Sequence, residues 1–441
     1  MGSKDEKENK QSVVFMPDTQ PFENIKVVEF GQFVAVPFCG QLLAEGGAEV
    51  IKVESPGGDP NRHMGEITPF ESRIFISRNR GKHSLPLKLS DVKAKPVIES
   101  LLRWADVILM NFRPGLAAKM GIDSATLKER FPRLIIGEIT PFGKEGPDAN
   151  LSAMDIVVQA RSGLMAAMGR IVDGRPAPGD PVISDYMAAM SLAFGISSAL
   201  LRRERTGKGG VVDVSLMQSA MTLANNQLIR SEDLDRDKHR GIIEKINRQR
   251  IEGAAFEEQV ASVPSMRVMP LLAVYFRTYD TADGSIAIAC ASRGLQVKFS
   301  NALGFVDQML YPEKSDGLDK EYLQTLRQSV EGIVRSKKSA DWQRILQEAG
   351  VPVSIVKFPI ELFEDPQTEA NDMFYLLDHP TAGQFRTLSP PVKLDGEGFQ
   401  AQNATAPFAT ETRSLLLELG FDGDQIDDLI DQNVTREVDG G

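Results

Sequence analysis

The chain has 441 residues, a net charge of −11, 42% hydrophobic and 25% charged residues, which is long enough for two domains and typical of a globular protein. The acidic balance argues against a general nucleic-acid-binding protein, because phosphate binding needs clustered Lys and Arg. No run of eighteen apolar residues occurs, so we expect neither a membrane span nor a membrane partner.

The N-terminal residues MGSKDEKENKQ are polar and lack the apolar core of a signal peptide. We therefore expect residues 1–20 to form a disordered tail and the protein to be cytoplasmic. Cys39 and Cys290 have no metal-ligand spacing and are interpreted as reduced thiols. The four histidines lie far apart, so we expect no metal site and assign acid–base chemistry to carboxylates.

The sequence pattern of residues 25–54 predicts a strand, a helix and a second strand. The strand covers residues 25–30, the helix opens at Pro37 and closes at Gly46 and Gly47, and the second strand covers residues 48–54. This βαβ pattern predicts a parallel sheet, whose usual ligand position is the first loop. The loop lacks GxGxxG, so it indicates no dinucleotide.

Alternation of strands and helices continues and predicts at least four parallel strands. The further strands are 84–89, 105–112 and 133–139, and the helices are 94–105 and 123–131. Two loops, Asn79–Lys82 and Asn111–Gly115, are expected to place cations where strands end. They are interpreted either as solvated surface charge or as contacts for an adenine ring and phosphates.

A long helix is predicted within Arg175–Gly209, where apolar residues recur at helical spacing and cations followed by Gly207 suit the C-terminus. The recurring apolar positions are Met187, Met190, Phe194 and Leu201. Asp185 stands at its start. It is either an N-cap or a functional carboxylate, and free N–H groups there are expected to keep it ionised at neutral pH.

The C-terminal half predicts a hairpin in Tyr275–Ala289 around an Asp-Gly turn, then helices at 293–303, 318–337 and 339–349 and a strand at 352–356. Phe299 and Trp342 are predicted core residues. The last helices, beginning at Thr412, are expected to pack on the first domain.

Ordered motifs along the chain carry a family resemblance. They are LLAEGGAEVIKVE, PGGDPNR, NRGKHSLPLKL, ADVILMNFRPG, MDIVVQARSGLM, DGRPAPGDPVISDY, RRERTGKGGVVDVSL and APFATETRSLLLELG. In this order, from Ile25 to Ile430, the chain resembles the family III CoA-transferases, the CaiB/BaiF group that includes formyl-CoA and carnitine CoA-transferases.

The resemblance implies an α/β fold with a large Rossmann-like parallel-sheet domain and a smaller α+β domain, in an interlocked, ring-like homodimer. The expected large CoA-binding domain is 21–228, completed by 385–441. A charged helical linker is expected at 229–268, the small domain at 269–350 and a return linker at 351–384.

The resemblance also implies a CoA-transferase that moves CoA from an acyl-CoA donor to a small carboxylic acid, with CoA thioesters as substrates and no metal. The family nucleophile corresponds to Asp185, which would form an aspartyl anhydride and then an aspartyl-CoA thioester. Asp155 is interpreted as orienting the substrate or Asp185, or as the N-cap of its own helix.

Contacts to CoA are implied at positions that match the family motifs, although Ser55 replaces a frequent Arg. The residues are Val34, Ala35, Ser55, Leu87, Lys88, Asn111, Phe112, Arg113, Lys119 and Met154.

Two alternatives stay open. The first is an acyl-CoA racemase or isomerase, disfavoured because the proton-transferring His of racemases is replaced by Met154, which exchanges no proton. The second is a non-catalytic CoA-binding protein, disfavoured by Asp185. The resemblance also implies a glycine-rich lid over the active site, and the segment SVPSMRVMPLL stands in its place. For binding of the acceptor acid, the sequence offers only Arg161 as a weak candidate.

Overall fold

The computed structural model describes residues 20–263, 273–311, 320–401 and 403–438. The chain divides into two compact units, one formed by the part up to Asp233 together with Ala370 onward, the other by Leu234–Glu369. The tail expected at residues 1–20, except Gln20, lies outside the described residues. Positions 264–272, most of the segment that replaces the glycine-rich lid, do so too.

A six-stranded parallel sheet forms the centre of the first unit. Its strands are β1 (Lys26–Phe30), β2 (Glu49–Glu54), β3 (Lys82–Pro86), β4 (Val107–Met110), β5 (Ile135–Thr140) and β6 (Gly210–Ser215). The strand order is β3-β2-β1-β4-β5-β6. This is the doubly wound order of Rossmann-type folds, so the predicted parallel sheet is confirmed and the order reverses between β1 and β4.

Helices cover both faces of this sheet. They are α1 (Ala35–Glu45), α2 (Arg73–Ile76), α3 (Lys95–Trp104), α4 (Leu116–Met120), α5 (Ser124–Arg130), α6 (Asp155–Arg161), α7 (Leu164–Met168), α8 (Ile183–Thr206) and α9 (Leu216–Leu223). One core packs α1, α8 and α9 on the sheet through residues such as Leu43, Leu192 and Ala220.

The core on the opposite face is completed by the C-terminal end of the chain. Helices α16 (Thr412–Glu418) and α17 (Gly423–Asp431) bury Leu416 and Ile426 in the same cluster as Leu101. Packing of the last helices on the first unit is thus confirmed. A hairpin of β10 (Phe374–His379) and β11 (Gly383–Leu388) precedes them.

The long helix α8 exists as predicted. Its small and β-branched residues, including Ala188 and Ile196, face the core, while Phe194 is 77% and Leu201 55% exposed. Leu192 and Leu200 are buried on the same face, so the orientation of the helix on the sheet, and not side-chain size, decides which residues are exposed. By length and composition alone α8 could cross a bilayer, yet helices in the core of globular domains meet the same criteria.

The second unit is α+β. It contains α10 (Arg236–Ile251), α11 (Phe256–Ala261), β7 (Phe276–Asp280), β8 (Ser285–Ala289), α12 (Arg293–Leu303), α13 (Lys320–Arg335), α14 (Ser339–Glu348), β9 (Val353–Ile355) and α15 (Pro366–Ala370, at its boundary). The predicted hairpin is β7 and β8, which pair antiparallel. Phe299 and Trp342 are buried in its core as expected.

Boundaries of the second unit differ from those expected from sequence. β9 pairs with β8, so part of the predicted return linker belongs to this sheet. Helices α10 and α11, predicted as a linker, are grouped with the same unit, and α10 has no buried residue.

Candidate active site

A cavity of about 1040 Å³ opens at the carboxyl ends of the parallel strands in the first unit. Ligands in doubly wound sheets bind at this edge, next to the point where the strand order reverses. Every residue assigned to CoA from sequence lines it, as does Asp185. These residues are Val34, Ala35, Ser55, Leu87, Lys88, Asn111, Phe112, Arg113, Lys119 and Met154.

The loop between β1 and α1 forms one wall, and side chains from other parts of the first unit bind its successive carbonyls. Lys52 Nζ donates to the Gly31 carbonyl at 2.7 Å, and Asn61 Nδ2 donates to the Phe33 carbonyl at 2.6 Å. Asn111 both donates to the carbonyl and accepts from the N–H of Gln32, at 3.0 and 3.2 Å. Phe33 adopts a φ of 67°, which is rare for an aromatic residue and is maintained by these bonds.

Cations line the opposite wall. Lys88, Lys95, Arg113 and Lys119 border the cavity, and Lys88 forms an ion pair of 3.3 Å with Asp91. Phe112 packs against Phe30 with ring centres 5.9 Å apart. Dispersed positive charge beside an aromatic ring suits a nucleotide with phosphates.

Four other residues predicted to contact CoA offer it little side-chain surface or no charge. Val34, Ala35 and Leu87 are almost fully buried, so they present little side-chain surface. The Ser55 hydroxyl donates to the Gly58 carbonyl at 2.8 Å. It supplies no charge in place of the Arg frequent at this position.

Asp185 lies inside the first turn of α8, not at its cap. The helix begins at Ile183, Val182 occupies the N-cap position without a side-chain cap bond, and Gly207 ends the helix in the left-handed conformation at φ 71°. Interpretation of Asp185 as an N-cap is therefore wrong. Its carboxylate is free of the capping role and borders the cavity.

Asp155 provides the missing cap from another helix. Its Oδ1 accepts the backbone N–H groups of Ser184 at 2.8 Å and of Asp185 at 3.3 Å. Since Asp155 is the first residue of α6 and Met154 its N-cap, the prediction that Asp155 caps its own helix is wrong. It is 6% exposed, does not border the cavity and fixes the start of α8.

Gln159, which the sequence reasoning did not single out, supports this arrangement. The side chain donates to Asp155 Oδ2 and to the Gly179 carbonyl, and accepts the Gly179 N–H at 2.9 Å. It thus ties α6 to the loop that enters α8. The separation of four residues from Asp155 places both on one helix face and was a signal available in the sequence.

Burial raises the pKa of Asp185 to about 7, the nearby Asp155 carboxylate adds to the rise, and Arg78 opposes it. The expectation that the helix start keeps Asp185 fully ionised at neutral pH is therefore wrong. Desolvation and a like charge outweigh the free N–H groups, because Asp155 already accepts two of them. A carboxylate close to half-ionised at pH 7 is suited to proton-dependent or nucleophilic chemistry.

The loop Asn79–Lys82 is largely buried and does not line this cavity. It precedes β3, so it lies at the amino edge of the sheet. Lys82 Nζ pairs with Glu29 at 2.7 Å and Arg80 with Glu45 at 2.5 Å, all nearly or fully buried. Both interpretations of this loop, as surface charge and as nucleotide contact, are corrected, because these cations neutralise buried carboxylates.

No group of His, Cys, Asp or Glu suited to a metal ion occurs in the part of the chain that the structure describes. Within that part, Cys39 and Cys290 are free and buried. Burial raises the pKa of the Cys290 thiol to about 11, so it is neutral at physiological pH.

Comparison with known proteins decides the family. Residues 22–411 match the model of CoA-transferase family III. The chain belongs to CoA-transferase family III. It is 30% identical over 423 residues to cinnamoyl-CoA:phenyllactate CoA-transferase of Clostridium sporogenes, covering 93% of this chain and 96% of that protein.

Further relatives agree. Acetyl-CoA:oxalate CoA-transferase of Acetobacter aceti is 29% identical over 399 residues, covering 90% of this chain and 95% of the relative. The crystal structure of a CaiB/BaiF family protein from Brucella suis superposes with a TM-score of 0.72 at 26% identity, covering 91% of this chain and 100% of that one. This family III CoA-transferase therefore uses CoA thioesters and carboxylic acids as substrates, and the mixed α/β fold matches family structures.

Proposed function

We propose that Asp185 carries CoA between two carboxylic acids through covalent intermediates. An Asp185 oxygen attacks the acyl-CoA carbonyl carbon and CoA leaves as thiolate, giving a mixed anhydride. The thiolate then attacks the Asp185 carbonyl carbon, the donor acid leaves as carboxylate, and an aspartyl-CoA thioester forms. An acceptor carboxylate repeats these steps in reverse, so every intermediate keeps an activated acyl bond.

The observation that carries this proposal is the contrast between the two carboxylates. Asp155 is occupied by two backbone N–H groups and Gln159. Asp185 borders the cavity with no hydrogen bond to its carboxylate among the described residues, and burial leaves its pKa at about 7. A poorly solvated carboxylate that can be ionised is a better nucleophile than one in water.

The CoA nucleotide would lie against the loop at Asn111–Arg113, with its phosphates near Lys88, Arg113 and Lys119. The pantetheine arm would then follow the cavity to Asp185. Support comes from the residues that border this one cavity and from the charge of its cationic wall.

An acyl-CoA racemase is the less supported alternative. Met154 lies on the cavity wall and is 54% exposed, and its thioether exchanges no proton. No histidine is found among the described residues that border the cavity. Exchange of the α-hydrogen of an acyl-CoA with deuterated water, without transfer to an acid, would favour the racemase.

Trapping the covalent adduct tests the proposal. Wild-type enzyme incubated with acetyl-, succinyl- or cinnamoyl-CoA should form an adduct on the peptide containing Asp185 that hydroxylamine converts to a hydroxamate. Asp185→Asn should form none and lose transfer about a thousandfold or more. Asp173→Asn is the matched control, because Asp173 is exposed and Asn tolerates its φ of 50°.

An adduct on another residue would contradict the covalent role of Asp185, as would normal turnover by Asp185→Asn. Binding of CoA by the wild-type enzyme with neither an adduct nor transfer would favour the non-catalytic alternative.

We also propose the interlocked homodimer that the family resemblance implies. Large apolar residues on the outer face of α8, above all Phe194 at 77% exposure, support a partner surface. Sedimentation should give a dimer for the wild-type protein and monomer or aggregate for Phe194→Asp. A cytoplasmic location without membrane contact stays a prediction from sequence, to be tested by cell fractionation.

A further inference from the structure

The proposed transfer needs a cation near Asp185 to meet the incoming acid. The cavity cations Lys88, Arg113 and Lys119 are assigned above to the CoA phosphates. Arg161, the candidate from sequence, is already paired with Asp148 at 2.8 Å. Lys95 is a further cation on the cavity wall. Arg78 is not among the residues that line the cavity, but it contacts the first turn of α8 next to Asp185.

Arg78 lies in contact with the residue next to Asp185. Its Nε donates to the Tyr186 hydroxyl at 3.3 Å, and its guanidinium carbon lies 5.8 Å from the centre of the Tyr186 ring. The other side of this ring packs edge-on against Phe38, with centres 4.9 Å apart. Tyr186, itself packed against Phe38, therefore contacts the guanidinium beside the first turn of α8.

The guanidinium of Arg78 has no carboxylate partner among the residues that the structure describes. Its neighbours differ in this respect, since Arg62 pairs with Glu54 at 2.7 Å and Arg80 with Glu45 at 2.5 Å. Arg78 is partly buried, and removing a cation from water is costly without an anion. Its Nη atoms remain available to a carboxylate.

The field of Arg78 reaches Asp185, because Arg78 lowers the pKa of that carboxyl against the effect of burial. In the free enzyme the Asp185 carboxylate offsets the charge of Arg78. Acylation of Asp185, as anhydride or thioester, removes that negative charge. The site then holds a cation without an anion.

We propose that Arg78, oriented by Tyr186, binds the carboxylate of the acid substrate when Asp185 is acylated. This inference rests on the proposed covalent function of Asp185. The bound acid attacks the Asp185 carbonyl carbon through one oxygen and CoA leaves as thiolate. The thiolate then attacks the acid carbonyl carbon, and Asp185 leaves as a carboxylate that faces Arg78 again.

Exchange of a labelled acid into its own CoA thioester isolates the acid-binding step, because it needs only one acid and the covalent enzyme. We would measure incorporation of carbon-labelled acetate, succinate or cinnamate into the matching CoA thioester. Arg78→Gln should raise the KM of the acid about tenfold or more, as for loss of a charge-assisted contact. The KM of the thioester and the yield of the trapped adduct should change much less.

Related variants identify the contact. Arg78→Lys keeps the charge without the planar fork and should rescue the KM of the acid in part. Tyr186→Phe keeps the ring and removes the hydroxyl, so it should raise that KM by about two- to fivefold. Arg73→Gln is the matched control, because Arg73 is an exposed cation on α2 and its loss should change neither KM. Melting temperatures establish that each variant is folded.

An unchanged acid KM in Arg78→Gln, with normal exchange, overturns the role of Arg78. An equal rise in the KM of acid and thioester does so as well, because it indicates general damage. If Arg78→Gln does not fold, an unchanged acid KM in both Arg78→Lys and Tyr186→Phe has the same meaning. A wild-type enzyme with neither adduct nor exchange would instead overturn the covalent function itself.

Discussion

Asp155 Oδ1 accepts the backbone N–H of Asp185 at 3.3 Å, so one carboxylate fixes the chain position of the other. The two acids have different surroundings, since Asp155 also accepts from Ser184 and Gln159 whereas Asp185 borders the cavity. Asp155 is the positioning residue, and Asp185 is available for chemistry.

The rate of acylation should rise with pH through about 7. Burial, followed by the charge of Asp155, raises the pKa of Asp185 to about 7, and only the ionised form attacks a thioester. Below that value, kcat/KM for the acyl-CoA should fall about tenfold per pH unit. Stopped-flow release of CoA or donor acid between pH 5 and 9 measures this. A flat profile from pH 5 to 8 would contradict the raised pKa.

Neutralising Asp155 should move this profile to lower pH. Asp155→Asn removes a like charge that raises the pKa of Asp185, so the inflection should shift downward. The amide keeps one oxygen for the N–H groups of α8, but its NH₂ faces the Gln159 NH₂, and about 1–3 kcal/mol of stability should be lost. Asp173→Asn serves as the control, and an unchanged or higher inflection in Asp155→Asn would exclude the charge effect.

Local pattern was enough to predict most of the sheet and its helices. The strand at 25–30, the helix from Pro37 and the hairpin around residues 281–284 follow from short-range periodicity and turn residues. Motif order additionally allowed the cavity residues to be assigned, because motifs that follow successive parallel strands meet at one edge of the sheet.

The predictions that the structure corrects depended on contacts between residues distant in sequence. Nothing near Asp185 in the sequence indicates that Asp155 caps its helix. The carboxyl was therefore expected to be ionised at neutral pH, whereas burial and Asp155 raise its pKa to about 7. Likewise Phe194 satisfies the helical period yet faces outward, because periodicity alone does not show which face of a helix packs on the sheet. Arg78 belongs to no recognisable motif, so its position next to the first turn of α8 could not be predicted. Its contact with Tyr186 is visible only in the structure.

Asp185→Asn should stabilise the protein at alkaline pH. The folded-state pKa of about 7 lies above the ordinary 3.8, so the folded form binds the proton more tightly. The resulting stability is fully present below pH 3.8 and is lost as pH rises through 7. A neutral isostere avoids that loss and should gain about 1–3 kcal/mol at pH 8, less at pH 5. Denaturant unfolding at both pH values measures it, and equal gains at both would contradict the linkage.

The cationic wall should distinguish CoA from dephospho-CoA. Lys88→Gln, Arg113→Gln and Lys119→Gln should each weaken binding of CoA by about fivefold or more, since each removes a charge-assisted contact. Dephospho-CoA lacks the ribose phosphate. If one of these cations binds only that phosphate, its Gln variant should bind dephospho-CoA with the same affinity as the wild type. Titration calorimetry of both ligands provides the comparison. If no variant weakens CoA binding, the nucleotide lies elsewhere.

Gly40 should tolerate no side chain, because of the buried ion pairs beneath α1. A Cβ there would lie 2.1 Å from Glu29 Oε2, and Glu29 pairs with Lys52 at 2.9 Å and Lys82 at 2.7 Å inside the core. Gly40→Ala must displace that carboxylate from its cations, and we expect a loss of about 2–4 kcal/mol. Gly423→Ala in the same unit is the control, because nothing lies within 4 Å of its added Cβ. Since Lys52 also holds the Gly31 carbonyl at the cavity wall, any folded Gly40→Ala should additionally show a raised KM for CoA thioesters. Wild-type stability in Gly40→Ala would mean that the ion pairs can be rearranged at little cost.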